Sequence, residues 1–140
     1  MLGEFSTIPK ASDVARRDVA TCQLNEQLGE VHRRCQAAGW KVCLVVNDSN
    51  VVLGRLRGKA WEADPDANVG DVMENGPTTF RPDKFLAPLI KRMFEKKVGT
   101  VVITNPDGVL VGLLYRKDGE QRLEREQAEK ESNAGLSKDG

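Results

Sequence analysis

The chain repeats itself, and internal repetition constrains a fold before any single motif does. Sliding its 140 residues along themselves by 58 positions lays Ala11–Ala60 over Val69–Asp118 without a gap. Identical pairs include Asp13/Asp71, Val14/Val72, Leu28/Leu86, Arg34/Arg92, Asn47/Asn105, Gly54/Gly112 and Lys59/Lys117. The pattern of residue types says more than the identities. Val42–Val46 lies over Thr100–Thr104 and Val51–Leu56 over Val109–Leu114, so one apolar strand pair covers another.

Each half reads helix, strand, helix, strand, strand. Short helices are expected in "ASDVARR" and "VGDVMEN", with Ser12 and Asp71 near their starts as capping side chains. Extended pieces follow in "VATCQL" and "PTTFRP", and Asn25 and Asp83 are then placed to cap a longer helix. In the second of these long helices, Leu86, Leu89, Ile90, Met93 and Phe94 recur at helical spacing and form one apolar face. Leu28, Val31 and Cys35 make the matching face of the first, which ends at Gly39, a residue suited to a left-handed cap. The last two strands of each half are joined by "NDSN" and "NPDG", which predicts antiparallel hairpins.

A half of this size buries too little apolar surface to be comfortable alone. The expected architecture is therefore α+β: two repeats related by a pseudo-twofold axis and packed sheet to sheet. The divisions are a tail (1–10), a first repeat (11–60), a linker (61–68), a second repeat (69–118), and a charged helix with a flexible tail (119–140). The helix is expected over Gly119–Ser132, with the residues after it fraying.

Composition removes several function classes. Lysine and arginine number 21 against 21 acidic residues, so the basic excess of a nucleic-acid binder is missing. No apolar run approaches the roughly 20 residues that span a bilayer, and the first residues lack a signal peptide's apolar centre, so a cytoplasmic protein without a membrane segment is expected. Cys22, Cys35 and Cys43 lie over Phe80, Met93 and Val101 and have no zinc-type spacing, which reads as small core residues and no metal. His32 lies over Ile90 with no partner suited to catalysis. No nucleophile elbow, P-loop or dinucleotide fingerprint occurs, so no enzyme is expected. The charges of "RLRGK" and "IKRMFEKK" read as solvated faces.

The stretch "VGDVMENGPTTFRPDKFLAPLIKRMFEKKVGTVVITNPDGVLVGLLYRKD" resembles the cystathionine-β-synthase (CBS) domain, which normally occurs in tandem. The Asp71-Val72-Met73 helix start, the Val98–Val102 strand and the Asp107-Gly108…Val111-Gly112 hairpin carry the resemblance, and the first half resembles a diverged copy. The resemblance implies a non-catalytic regulatory module. Its ligand would be AMP, ADP, ATP or S-adenosylmethionine, held between the repeats with no cofactor required. Its partners would be a second copy, as a homodimer, and a regulated protein that the sequence does not name.

The family's binding pattern is Gly, two apolar residues, Thr or Ser, two residues, then Asp, with the carboxylate on the ribose and the hydroxyl toward phosphate. The second half matches at Gly112 and Asp118 and departs at Tyr115. The first half has Arg57 and Ala60 at the corresponding places, which removes the carboxylate. The resemblance thus implies at most one typical adenosyl site. Asp118 would face ribose, Val19, Ala20, Thr21, Trp40 and Val42 the adenine, and Tyr115, Lys41 and Lys117 the phosphate. Arg57, with Thr79 and Val98, marks a possible second anion site. The alternative is a ligand-free pair that serves dimerisation or protein interaction, as the departures at Arg57, Ala60 and Tyr115 suggest.

Overall fold

The computed structural model describes residues 8–139, with side chains through Ser132. Much of the expected tail and Gly140 lie outside the described residues. The first half contains α1 (Ala11–Val14), β1 (Ala20–Cys22), α2 (Leu28–Ala38), β2 (Cys43–Val46) and β3 (Val52–Leu56), followed by a 3-10 turn at Gly58–Glu62. The second half contains α3 (Val69–Val72), β4 (Glu74–Asn75), β5 (Thr79–Phe80), α4 (Leu86–Lys96), β6 (Thr100–Thr104) and β7 (Leu110–Tyr115). The helix α5 (Arg116–Asp139) closes the chain. It begins earlier and runs further than the expected Gly119–Ser132. No helix among the described residues is long and apolar enough to cross a membrane.

Two sheets form, in the orders β1-β2-β3-β4 and β5-β6-β7. In each, the first strand is parallel to its neighbour and the next pair is an antiparallel hairpin. Alternation along the strands explains their unbroken apolar character. Cys43 and Val45 face α2, and Val101 and Ile103 face α4. Their neighbours Leu44 and Val102 meet Val42 and Leu113 in a third cluster between the two sheets. Strands buried on both faces read as continuous apolar runs, and the sheet-to-sheet arrangement is as expected.

The hairpins share one turn. The Asn47 side-chain oxygen accepts from the Ser49 and Val51 N–H groups at 2.9 and 3.0 Å. Asn105 does the same with Asp107 and Val109 at 2.9 and 3.0 Å. An Asx turn of this kind explains why asparagine stands at both places.

The halves also exchange their first elements. Ala11 of α1 is fully buried among Leu86, Leu89, Ile90 and Met93 of the second half. Val69 of α3 is buried among Leu28, Val31 and Leu56 of the first. This exchange corrects the expected helix caps. The residues before α2 and α4 are Gln27 and Phe85, neither of which makes a side-chain cap. Instead the Leu28 and Gly29 N–H groups donate to the Ala67 and Pro65 carbonyls at 2.9 Å each. The Leu86 N–H donates to the Pro9 carbonyl at 3.0 Å. Each long helix is therefore capped by the backbone that leads into the other repeat's short helix. Those short helices start after Lys10 and Asn68, one residue or more before Ser12 and Asp71.

Beyond the short helices the chain crosses back over the other half's hairpin. Gly54 and Arg55 of β3 pair with Asn75 and Glu74 of β4, and Arg16 bridges to Leu113 of β7. The expected helix "VGDVMEN" thus stops at Val72, and its last residues become a sheet edge. The crossings account for the identical pair Gly54/Gly112. A Cβ on Gly112 would stand 2.6 Å from the Arg16 carbonyl oxygen, and one on Gly54 would stand 2.9 Å from that of Glu74.

Candidate ligand clefts between the halves

The pseudo-twofold axis generates two clefts, one at the end of β7 and one at the end of β3. At the first, Tyr115 approaches Val19 and Val42, whereas Asp118 turns to Arg16 of the crossing segment. Tyr115 and Val19 pack against the between-sheet cluster that contains Val42. Both Asp118 oxygens are occupied: Arg16 Nε donates to Oδ2 at 2.7 Å and Nη2 to Oδ1 at 3.1 Å. The same guanidinium lies 4.3 Å from the Tyr115 ring centroid, a cation–π contact. The Asp118 hydrogen bond holds the Arg16 pKa above its ordinary value, and burial raises that of the Tyr115 phenol.

The other residues expected at this cleft are distributed more widely. Lys117 and Thr21 are exposed, and Ala20 lies against the first-half core. Trp40 and Lys41 line a separate surface pocket with His32, Gly58 and Trp61. There the His32 and Trp61 rings stack with centroids 4.8 Å apart, and Trp61 Nε1 donates to the Lys41 carbonyl at 3.0 Å. The three cysteines are buried in the core beneath α2, as expected. A hydrogen bond to Cys22, together with burial, pushes the Cys43 thiol's pKa up, and burial does the same for Cys35, so neither is poised as a thiolate.

The second cleft opens into a cavity of about 260 Å³. Arg55 and Arg57 enter it from the first half, and Arg92 and Lys96 from one face of α4. Thr78, Phe80, Val98 and Thr100 contribute hydroxyls and apolar surface. Of the anion set expected from sequence, Arg57 and Val98 line the cavity. Thr78 and Phe80 line it in place of Thr79, the residue between them, as strand alternation requires. The expectation that "RLRGK" is a solvated face is corrected at Arg55, which is buried; the charges of "IKRMFEKK" are exposed as expected, and Arg92 and Lys96 among them border the cavity. The Arg92 guanidinium lies 5.6 Å from the Phe80 ring centroid.

Glu74, unforeseen from the sequence, holds two of these cations. Its Oε2 accepts from Arg55 Nε at 2.8 Å and also from Arg55 Nη2, and its Oε1 accepts from Arg57 Nη2 at 3.3 Å. Burial pushes the Glu74 carboxyl's pKa up, but the two guanidiniums outweigh burial and hold it below the ordinary value. Arg55 is only 7% exposed, so a charge partner is a requirement of its position. Glu74 and Arg16 are equivalent positions of the repeat. Each crossing segment therefore sets one charged side chain against a cleft, an arginine on a carboxylate in one and a carboxylate on arginines in the other.

A family model, the CBS domain, matches residues 69–118. Those residues are a CBS domain. The first half repeats its strand and helix order, so the molecule has the architecture of a CBS pair. The CBS domains of a transcriptional regulator from Streptococcus pneumoniae superpose with a TM-score of 0.74 at 15% identity, over 81% of this chain and 98% of theirs. CBSX2 in complex with AMP gives 0.75 at 15% identity, over 84% and 98%. The cytosolic domain of the Mg2+ channel MgtE in complex with ATP gives 0.71 at 19% identity, and this chain, 78% covered, spans 46% of that domain's length. No curated protein matches the chain.

Proposed function

We propose that this CBS pair is a regulatory module that binds an adenine nucleotide between its halves, in the cleft lined by Arg55 and Arg57. The carrying observation is the cavity itself, in which four cations, two threonines and the Phe80 ring converge. Cations and hydroxyls suit phosphate, and an aromatic edge with Val98 and Val101 suits a base. The AMP and ATP held by CBSX2 and by the channel domain support the ligand class. In the first cleft, Asp118 reaches a ribose only once Arg16 swings away. Binding would change the angle between the halves, and a regulated protein would respond to that change.

Thermal melts with AMP, ADP, ATP and S-adenosylmethionine test the reading. A ligand at 100 times its Kd stabilises by about 2.7 kcal/mol. Arg57→Ala is expected to abolish the shift and Asp118→Ala to keep it. The opposite result moves the ligand to the first cleft, and a melt that no adenosyl compound moves removes the nucleotide reading.

One observation favours a second reading, a dimerisation or interaction module. Phe94 and Phe85 are 66% and 52% exposed, within α4 and just before it. If so, Phe94→Ser would change the particle size in sedimentation while nucleotide addition would not.

A further inference from the structure

The pocket lined by Trp40 and Trp61 lies beside α2, away from both clefts, and the repeat explains why it exists. The positions equivalent to Gln36, Gly58 and Trp61 in the second half are Phe94, Arg116 and Gly119. There α5 packs so tightly on α4 that a Cβ on Gly119 would collide with Ile90. The Arg116 guanidinium also lies 5.6 Å from the Phe94 ring centroid. In the first half only a 3-10 turn follows β3, and Trp61 stands off α2 by stacking on His32. Gly58 leaves the mouth open, since a Cβ there would meet nothing within 4 Å. The result is a surface cavity of about 470 Å³, in the size range of small-molecule sites.

Its wall and its rim differ in chemistry. The wall is two indoles and an imidazole, and the Trp61 indole is fixed by its Nε1–H bond to the Lys41 carbonyl at 3.0 Å. Lys41 and Gln36 are exposed at the edge, and no acidic side chain lines the cavity. Among the described residues, no carboxylate lies within ion-pair distance of Lys41.

We propose that this pocket binds a planar aromatic carboxylate of one or two rings. The ring packs against the indoles, and the carboxylate takes donors from the Lys41 ammonium and the Gln36 amide. One free cation matches one negative charge. The site is separate from the clefts, so the proposal does not depend on the nucleotide reading.

Proton–nitrogen correlation spectra of the full chain test it, because both tryptophans of the sequence, and so both indole N–H signals, belong to the pocket. The probe is naphthoate, with naphthamide as its neutral match, cyclohexanecarboxylate as an anion without an aromatic ring, and naphthylmethylammonium as a cation. Naphthoate is expected to shift both indole signals. It should bind about two- to fivefold tighter than naphthamide and about fivefold or more tighter than cyclohexanecarboxylate. Lys41→Glu should reverse the order of naphthoate and naphthylmethylammonium. Lys41→Met should bring naphthoate down to the level of naphthamide, which keeps the test sharp should charge reversal disturb the fold. Indole signals unmoved by naphthoate at millimolar concentration, equal affinity for naphthoate and naphthamide, or wild-type preferences kept in both Lys41 variants overturn the proposal. AMP displacing naphthoate also overturns it, by making this pocket a nucleotide site. AMP bound while naphthoate stays seated supports two separate sites.

Discussion

Gly54 and Gly112 are the residues where the repeat touches itself most closely. Each lies beneath backbone from the opposite half, so a methyl group at either would push the crossing segment off its hairpin. Gly112→Ala should cost about 1–3 kcal/mol in urea unfolding. Gly99→Ala, where an added Cβ meets nothing within 4 Å, should stay within about 0.5 kcal/mol. Equal effects at the two would mean that the close crossing is not what holds these glycines. The same scale shows what sequence reading captured. Asp118, Tyr115 and Arg57 were visible because they stand at aligned strand ends. Arg55 also carried a signal, because it lies over Leu113, and a cation at an apolar repeat position needs a buried partner. Arg92 and Lys96 carried none, since cations spaced i,i+4 on a helix look the same in solvent and in a cleft.

Among the elements, the strands and long helices were legible because burial imposes periodicity on them. The edge strand β4 was not. Two residues have no period, and this strand exists only because the first hairpin offers it an unpaired edge. The caps of α2 and α4 were misread for a related reason, since their acceptors come from distant backbone. The edge strand also brings a pH dependence. The Glu74 carboxyl's pKa is lower in the folded chain than its ordinary value near 4.5. Its stabilising contribution is therefore present above the ordinary value and is lost as pH falls through the lowered one. Between about pH 5 and pH 3, wild type should lose more stability than Glu74→Gln in parallel urea titrations. Identical slopes would mean that the Arg55–Glu74–Arg57 cluster contributes nothing net.

At the scale of the molecule, three clusters are interleaved so that neither half owns its core. Ala11 completes the second half, Val69 completes the first, and the sheets share Leu44, Val102 and Leu113. Unfolding should then be a single transition. Both tryptophans, Trp40 and Trp61, pack against the first-half core and report on it, whereas far-ultraviolet circular dichroism reports on both halves. Leu28→Ala removes a fully buried side chain and should cost about 2–5 kcal/mol. It should shift the two signals together. A variant whose fluorescence melts early while half of its helical signal persists would show that the halves fold separately.

The exchange of short helices also decides what becomes of a severed chain. Cleavage in the exposed stretch around Asp64–Asp66 would not release two independent halves. Each fragment would lack the short helix that covers its own core and carry the one that covers the other. The two pieces would be complementary, each folding well only when it recovers its counterpart, and two intact copies could trade halves by the same route.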